Sequence, residues 1–274
     1  MKYLDSLIKK GCITISTGEA VEIFVLEKIK DPAAIKEWAN HFRNNYCADE
    51  LLDQLRKPNN LSRKDFLLQY KFPDKSLGFG PATRTGDFAE LLVSDYLEFT
   101  FGYYVPKDRY NCKFNRSNSS QGTDVIGLKM LGDSHSPNDE MVVFEVKGKS
   151  QKNTRDNRLQ DAIDDSYKDY IRKGETLNAV NQRAIERNDV KVSKLVSRFL
   201  NEVDTPYKMK YGAAAVYDED AYSEEINKNS VSKMGTSVSI TWMIVIRRVD
   251  LKDLIAKIYE EAANIKDDES LLLP

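Results

Sequence analysis

The sequence predicts an α/β fold with a mixed central β-sheet flanked by helices. Three observations predict it: short apolar runs rich in β-branched and aromatic residues, turn residues that bound those runs, and segments of helical period set between them. The run "VVFEVKGKS", Val142–Ser150, shows the first two together, since its strand-forming residues stop at Gly-Lys-Ser. Side chains alternate along a strand, so Val142, Phe144 and Val146 share one apolar face while Glu145 and Lys147 stand on the other. A carboxylate and an ammonium side by side on so apolar a strand call for a reason.

In chain order, "GEAVEIFVLEKIK" at residues 18–30 reads as an early strand. "DPAAIKEWANHFRNNYCADELLDQLRK" follows with Asp-Pro at its start and apolar spacing near 3.6, hence one or two helices. "KFPDKSLGFGPATRTG" is polar and carries Gly and Pro, and it places a boundary near residue 80. From Gly86 onward the order is helix ("DFAELLVSDYLEF"), strand ("YVPKDRYNCKF"), strand ("TDVIGLKML"), strand ("MVVFEVKGK"), the middle loop being "GDSHSPND". A charged helical region then runs from Arg155 to about Val203, with a break expected near Gly174. Strands "YGAAAVYDE" and "SVSITWMIVIRRV" and the terminal helix "LKDLIAKIYEEAANI" complete it, leaving a frayed tail at 266–274.

Composition narrows the function. With 274 residues, 41% hydrophobic and 31% charged, the chain is globular and not disordered. The longest apolar run, "ITWMIVI", falls far short of the roughly 20 residues that span a bilayer, and "MKYLDSLIKKG" lacks the apolar core of a signal peptide. The three cysteines, Cys12, Cys47 and Cys112, have no paired spacing, which points to a reducing compartment and a cytoplasmic location and away from a zinc knuckle. The two histidines, His41 and His135, leave little material for His-based metal clusters or acid–base chemistry. Lys and Arg total 41 against 43 acidic residues, so no global basic field draws the chain to a polyanion; nucleic-acid binding has to come from a local patch or a partner.

Chemistry concentrates around Glu145. Hydrolysing a phosphodiester near neutral pH calls for Mg²⁺, or Mn²⁺, held by two or three carboxylates, with a lysine nearby to orient water or stabilise phosphate charge. Asp124 opens one strand in "QGTDVIGL", and Glu145 and Lys147 lie on the next; antiparallel neighbours bring Asp124 close to Glu145. Plainer readings exist for each residue alone. Glu145 and Lys147 fit a solvated strand face, Asp87 with Glu90 fits a capping box, and Asp124 fits a turn after Gly122. The joint occurrence, in order and on the right elements, favours a site. "GKS" at 148–150 imitates the end of a phosphate-binding loop, but Val143 stands where its first Gly belongs, so an ATPase is excluded. Gln160, Lys168 and Tyr170 follow on a helix, where a solvated face is the simpler reading, and "RRVD" at 247–250 fits either a phosphate contact or a helix start.

Asp124, a gap, then Glu145-x-Lys147 at the end of an apolar strand resembles the PD-(D/E)XK nuclease superfamily, with Thr123-Asp124 in place of its Pro-Asp. That resemblance implies a restriction-endonuclease-like core over 81–265, with Glu90, Asp124, Glu145 and Lys147 catalytic and Glu90, Asp124 and Glu145 binding the metal. The wider run "RTGDFAELLVSDYLEF", "QGTDVIGLK", "VVFEVKGKS" and "RLQDAIDDSYKDY" resembles the HamA family, the nuclease subunit of the Hachiman anti-phage defence system. It implies a bacterial protein that cuts DNA beside a superfamily 2 helicase subunit. Residues 1–80, an α+β region that the nuclease core does not require, are then the candidate partner interface. Two other readings stay open: a stand-alone restriction-type endonuclease, and a scaffold subunit that has lost metal binding.

Overall fold

Six strands form one mixed sheet: β1 (Leu7–Thr14), β2 (Ala20–Leu26), β3 (Val125–Lys129), β4 (Glu140–Lys149), β5 (Lys208–Asp218) and β6 (Ile240–Arg248). The computed structural model describes residues 1–119, 121–152, 155–233 and 238–264, so the tail at 266–274 lies outside the described residues. Spatial order is β1-β2-β6-β5-β4-β3, with β4, β5, β6 and β2 parallel and the two edges antiparallel to their neighbours. Central strands covered on both faces read as continuous apolar runs. That is why Val142 to Val146 and Ala213 to Tyr217 are buried throughout.

The helices are α1 (Pro32–Tyr46), α2 (Asp49–Arg56), α3 (Arg63–Phe66), α4 (Gly80–Phe101), α5 (Asp108–Asn111), α6 (Arg158–Ser166), α7 (Asp169–Glu186), α8 (Val190–Ser197), α9 (Glu224–Lys228) and α10 (Leu251–Ala263). On one face α1, α4 and α10 bury Trp38, Phe42, Phe88 and Tyr259 against Phe24, Phe144, Val216 and Ile246. On the other, α6, α7 and α8 bury Leu159, Ile163, Leu177 and Val196 against Met141, Val143, Ala213 and Val245. Residues 1–80 build the same sheet and the same first core. Val21 to Val25 pair with Met243 to Arg247, and Trp38 packs on Phe88 with ring centroids 5.3 Å apart. The compositional boundary near residue 80 thus coincides with the start of α4, and the sheet continues across it.

Two expectations are corrected, and one strand stands where none was expected. "YVPKDRYNCKF" is not a strand: only Tyr104 bridges, to Leu128, and the chain turns into α5 after Pro106, which has no N–H to extend a ladder. The helical region does not break at Gly174, which lies inside α7; it breaks at Tyr167–Lys168 and again at Arg187–Asp189. The N-terminal "LIKKGCIT" forms β1, an edge strand whose largely exposed side chains hide the usual alternation.

Candidate active site

Each site residue is placed by its backbone. The β3–β4 register sets Val125 opposite Phe144, so Asp124 falls beside Glu145 and accepts the Val146 N–H through Oδ2 at 3.0 Å. Gly122, at φ +99°, gives the preceding turn a conformation that other residues rarely adopt. Glu90 comes from α4, which approaches β4 closely at Gly148; a Cβ there would lie 2.9 Å from the Thr85 carbonyl oxygen. The capping-box reading of Asp87 and Glu90 does not hold, because α4 begins at Gly80 and Asp87 lies two turns inside it. There Lys113 Nζ donates to both Asp87 oxygens at 2.6 Å and the Tyr46 hydroxyl donates at 2.6 Å.

Glu90, Asp124, Glu145 and Lys147 line one cavity of about 650 Å³, together with Asp165, Arg172 and Glu175. The sheet face of Glu145 is therefore not solvated: its side chain is 4% exposed. Lys147 Nζ donates to Glu145 Oε1 at 2.5 Å and lies 2.8 Å from Asp165 Oδ2. Glu145 Oε2 is buried without a hydrogen-bond partner, and Arg172 Nη1 stands 3.6 Å away. Burial, with Asp124 beside it, pushes the Glu145 carboxyl up to about 7 against the pull of Lys147. Burial alone would lower Lys147, but Asp165 and Glu145 outweigh it and keep the ammonium charged.

Arg109, from α5, stands between Glu90 and Asp124. Its Nη1 lies 3.1 Å from Asp124 Oδ1 and 3.5 Å from Glu90 Oε2 and also donates to the Thr123 carbonyl. Tyr110 donates to Glu90 at 2.9 Å. Burial raises Glu90 to about 8; Arg109 opposes the rise, and Asp124 and Asp87 add to it. Among the described residues, the threesome of metal-ligating types that converges within 4.8 Å is His41, Asp95 and Glu98. Lys107 Nζ fills that cluster, 2.7 Å from Asp95 and 2.6 Å from Glu98. Glu90, Asp124 and Glu145 share a cavity but not that proximity, because the Arg109 guanidinium spaces two of them.

The donor set nonetheless suits a hard divalent cation between Asp124 and Glu145. Both are carboxylates, the choice of Mg²⁺ and Mn²⁺, and Glu145 Oε2 is a buried acceptor with no hydrogen bond among the described residues, only the Arg172 guanidinium 3.6 Å away.

Sequence reasoning missed Asp169. It is fully buried at the first turn of α7, neither oxygen has a hydrogen-bond partner, and the Thr123 hydroxyl faces it without closing a bond. Burial, then Glu145 and Asp124, push it up to about 8. A signal existed: Leu159, Ala162, Ile163 and Ser166 are the buried face of α6, and Asp169 continues their spacing. The other candidates on this helix pair do not line the cavity. Gln160 exchanges hydrogen bonds with the Val231 backbone, Lys168 pairs with Asp165, and Tyr170 is exposed. Near the end of β6, Arg247 pairs with Glu219 and stacks on Tyr222, while Arg248 donates to the Leu26 carbonyl, so "RRVD" is structural. Lys149 of "GKS" pairs with Asp156 at 2.5 Å.

Among the described residues no helix is long and apolar enough to cross a membrane. No curated protein matches the chain. A family model described as HamA matches residues 1–262, taking in both edges of the sheet, the cavity and α10. The chain belongs to the HamA family.

Proposed function

We propose that the chain is a metal-dependent nuclease of restriction-endonuclease-like type, the effector subunit of a Hachiman-type anti-phage defence complex in the bacterial cytoplasm. The observation that carries this reading is the buried Glu145 Oε2, without a hydrogen bond among the described residues, in a cavity shared with Asp124 and Lys147. Family membership supports the defence role. Asp124 and Glu145 would hold Mg²⁺ or Mn²⁺, which when bound polarises the phosphate and lowers the pKa of water. Lys147, fixed between Glu145 and Asp165, keeps its proton and directs an N–H at the reacting oxygen. Glu90 acts through Arg109, which sets the position of Asp124, while Lys147, Arg158 and Arg172 line the cavity and supply positive charge where a phosphate would lie.

A net charge of −2 gives weak intrinsic affinity for DNA, so a superfamily 2 helicase partner that loads DNA fits the electrostatics. Residues 1–80 include the exposed edge strand β1, our candidate for its contact. Plasmid cleavage with Mg²⁺ tests the function: the chain alone, the chain with its helicase and ATP, and Glu145→Gln in the same complex. Cutting that needs Glu145 supports the reading. Discrete fragments from the chain alone would favour a stand-alone endonuclease. No cutting in any mixture of folded proteins would favour a scaffold.

A further inference from the structure

Two aromatic side chains stand in solvent at hollows that adjoin the cavity, Phe79 at 78% and Phe114 at 107% relative exposure. Their backbones are held firmly. Asp74 accepts the N–H groups of Ser76 and Leu77 through Oδ1, each at 2.9 Å, and the Arg116 guanidinium through Oδ2 at 2.9 Å. Arg116 also donates to the Leu68 and Phe72 carbonyls, and Thr83 donates to the Ser117 carbonyl. On the other side of Phe114, Lys113 is tied to buried Asp87. Phe114 is thus presented outward between two ion-paired anchors, and one of these, Asp74, also fixes the turn that leads to Phe79.

The two rings flank the catalytic cavity. Phe79 lines a hollow of about 530 Å³ with Gly86 and Glu90, both of which also line the cavity of Glu145 and Lys147. Phe114 lines a second hollow of about 570 Å³ with Arg183, Gly122 and Asp124, and the last two again line the central cavity. The three hollows adjoin: all of them share Ser119, and those of Phe79 and Phe114 also share Asn118, so both rings border space that opens onto the carboxylates. Asn115 and Asn118 add amide groups able to meet base edges.

We propose that Phe79 and Phe114 are stacking platforms for unpaired bases, so that the adjoining hollows take a single-stranded nucleic acid whose backbone reaches the carboxylates. In a duplex the base faces are already stacked on one another, and an exposed ring gains nothing from them; an unpaired base offers a free face. Each base stacked on an aromatic side chain is worth roughly 5- to 100-fold in affinity. The inference rests on the nuclease reading of the site, which it deepens by naming the substrate class.

The test is fluorescence anisotropy of a labelled single-stranded oligonucleotide and of its duplex, titrated with the full chain in EDTA so that binding is read without cleavage. Phe79→Ala, Phe114→Ala and Phe114→Trp are compared, with thermal melting as the folding control, since neither ring is buried. The expected result is tighter binding of the single strand than of the duplex, a 5- to 100-fold loss for either alanine variant, and recovery in Phe114→Trp. Equal binding by wild type and both alanine variants, or no preference for the single strand, overturns the proposal. Loss of the helicase partner with unchanged oligonucleotide binding also overturns it and makes the rings a protein interface. A failure of the chemistry is distinguishable, because Glu145→Gln then leaves cleavage unchanged whatever the binding data show.

Discussion

Asp124 accepts the Val146 N–H through Oδ2 at 3.0 Å, joining the loop before β3 to the residue between Glu145 and Lys147 on β4. Asp124 therefore has a structural task beside the chemical one proposed for it. Asp124→Asn keeps an acceptor for Val146 but loses the carboxylate that pairs with Arg109, so melting should fall by the loss of that pair alone while cleavage falls at least a hundredfold. Asp124→Ala removes the acceptor too and should lower the melting temperature further, by an amount consistent with about 1–3 kcal/mol for an unsatisfied buried N–H. Equal melting temperatures for the two variants would remove the structural task.

Asp169 makes stability fall as pH rises. Its ordinary value is near ~4, and in the fold it is pushed up to about 8. The folded state therefore keeps a proton that the unfolded state releases between these values. Its contribution is full below the lower value and is lost as pH climbs to the upper one. Asp169→Asn cannot ionise, so in EDTA it should melt higher than wild type at pH 8 and nearly level with it at pH 4. Thermal melting across that range checks this; a lower melting point for the variant at pH 8 contradicts it.

The approach of α4 to β4 at Gly148 is tight enough to be tested by one methyl group. In Gly148→Ala the added carbon meets the Thr85 carbonyl at 2.9 Å and the Ala89 side chain at 3.3 Å. Overpacking of this kind costs about 1–3 kcal/mol, and displacement of α4 should move Glu90 and reduce cleavage. Denaturant unfolding and cleavage rate check the two effects separately.

Lys113 and Asp87 form an ion pair with both side chains buried. Lys113→Met strands the carboxylate, which should cost roughly 3–5 kcal/mol, whereas Lys113→Met combined with Asp87→Leu should recover much of it. Double-mutant unfolding measures the difference.

The strands that carry the candidate site were legible because β-branched runs and turn residues set both their limits and their register. Asp124, Glu145 and Lys147 lie where alternation and antiparallel pairing put them. Arg109 and Lys113 were not legible. "YVPKDRYNCKF" has a strand-like composition, yet burial of Tyr110 and Lys113 against Glu90 and Asp87, long-range contacts all, folds it into α5 and its flanking loop. Asp87 looked like a helix start because Gly80 and Pro81 read as loop, although Pro at a first helical turn is favourable. β1 was hidden because an edge strand that exposes most of its side chains shows no apolar period.

The central claim is that Asp124 and Glu145 hold a divalent cation, and calorimetric titration of Mn²⁺ into the folded chain tests it most directly. The account predicts saturable binding in wild type that is lost in Glu145→Gln while the variant's melting temperature is preserved. Equal binding by wild type and Glu145→Gln, or none by folded wild type, would contradict it.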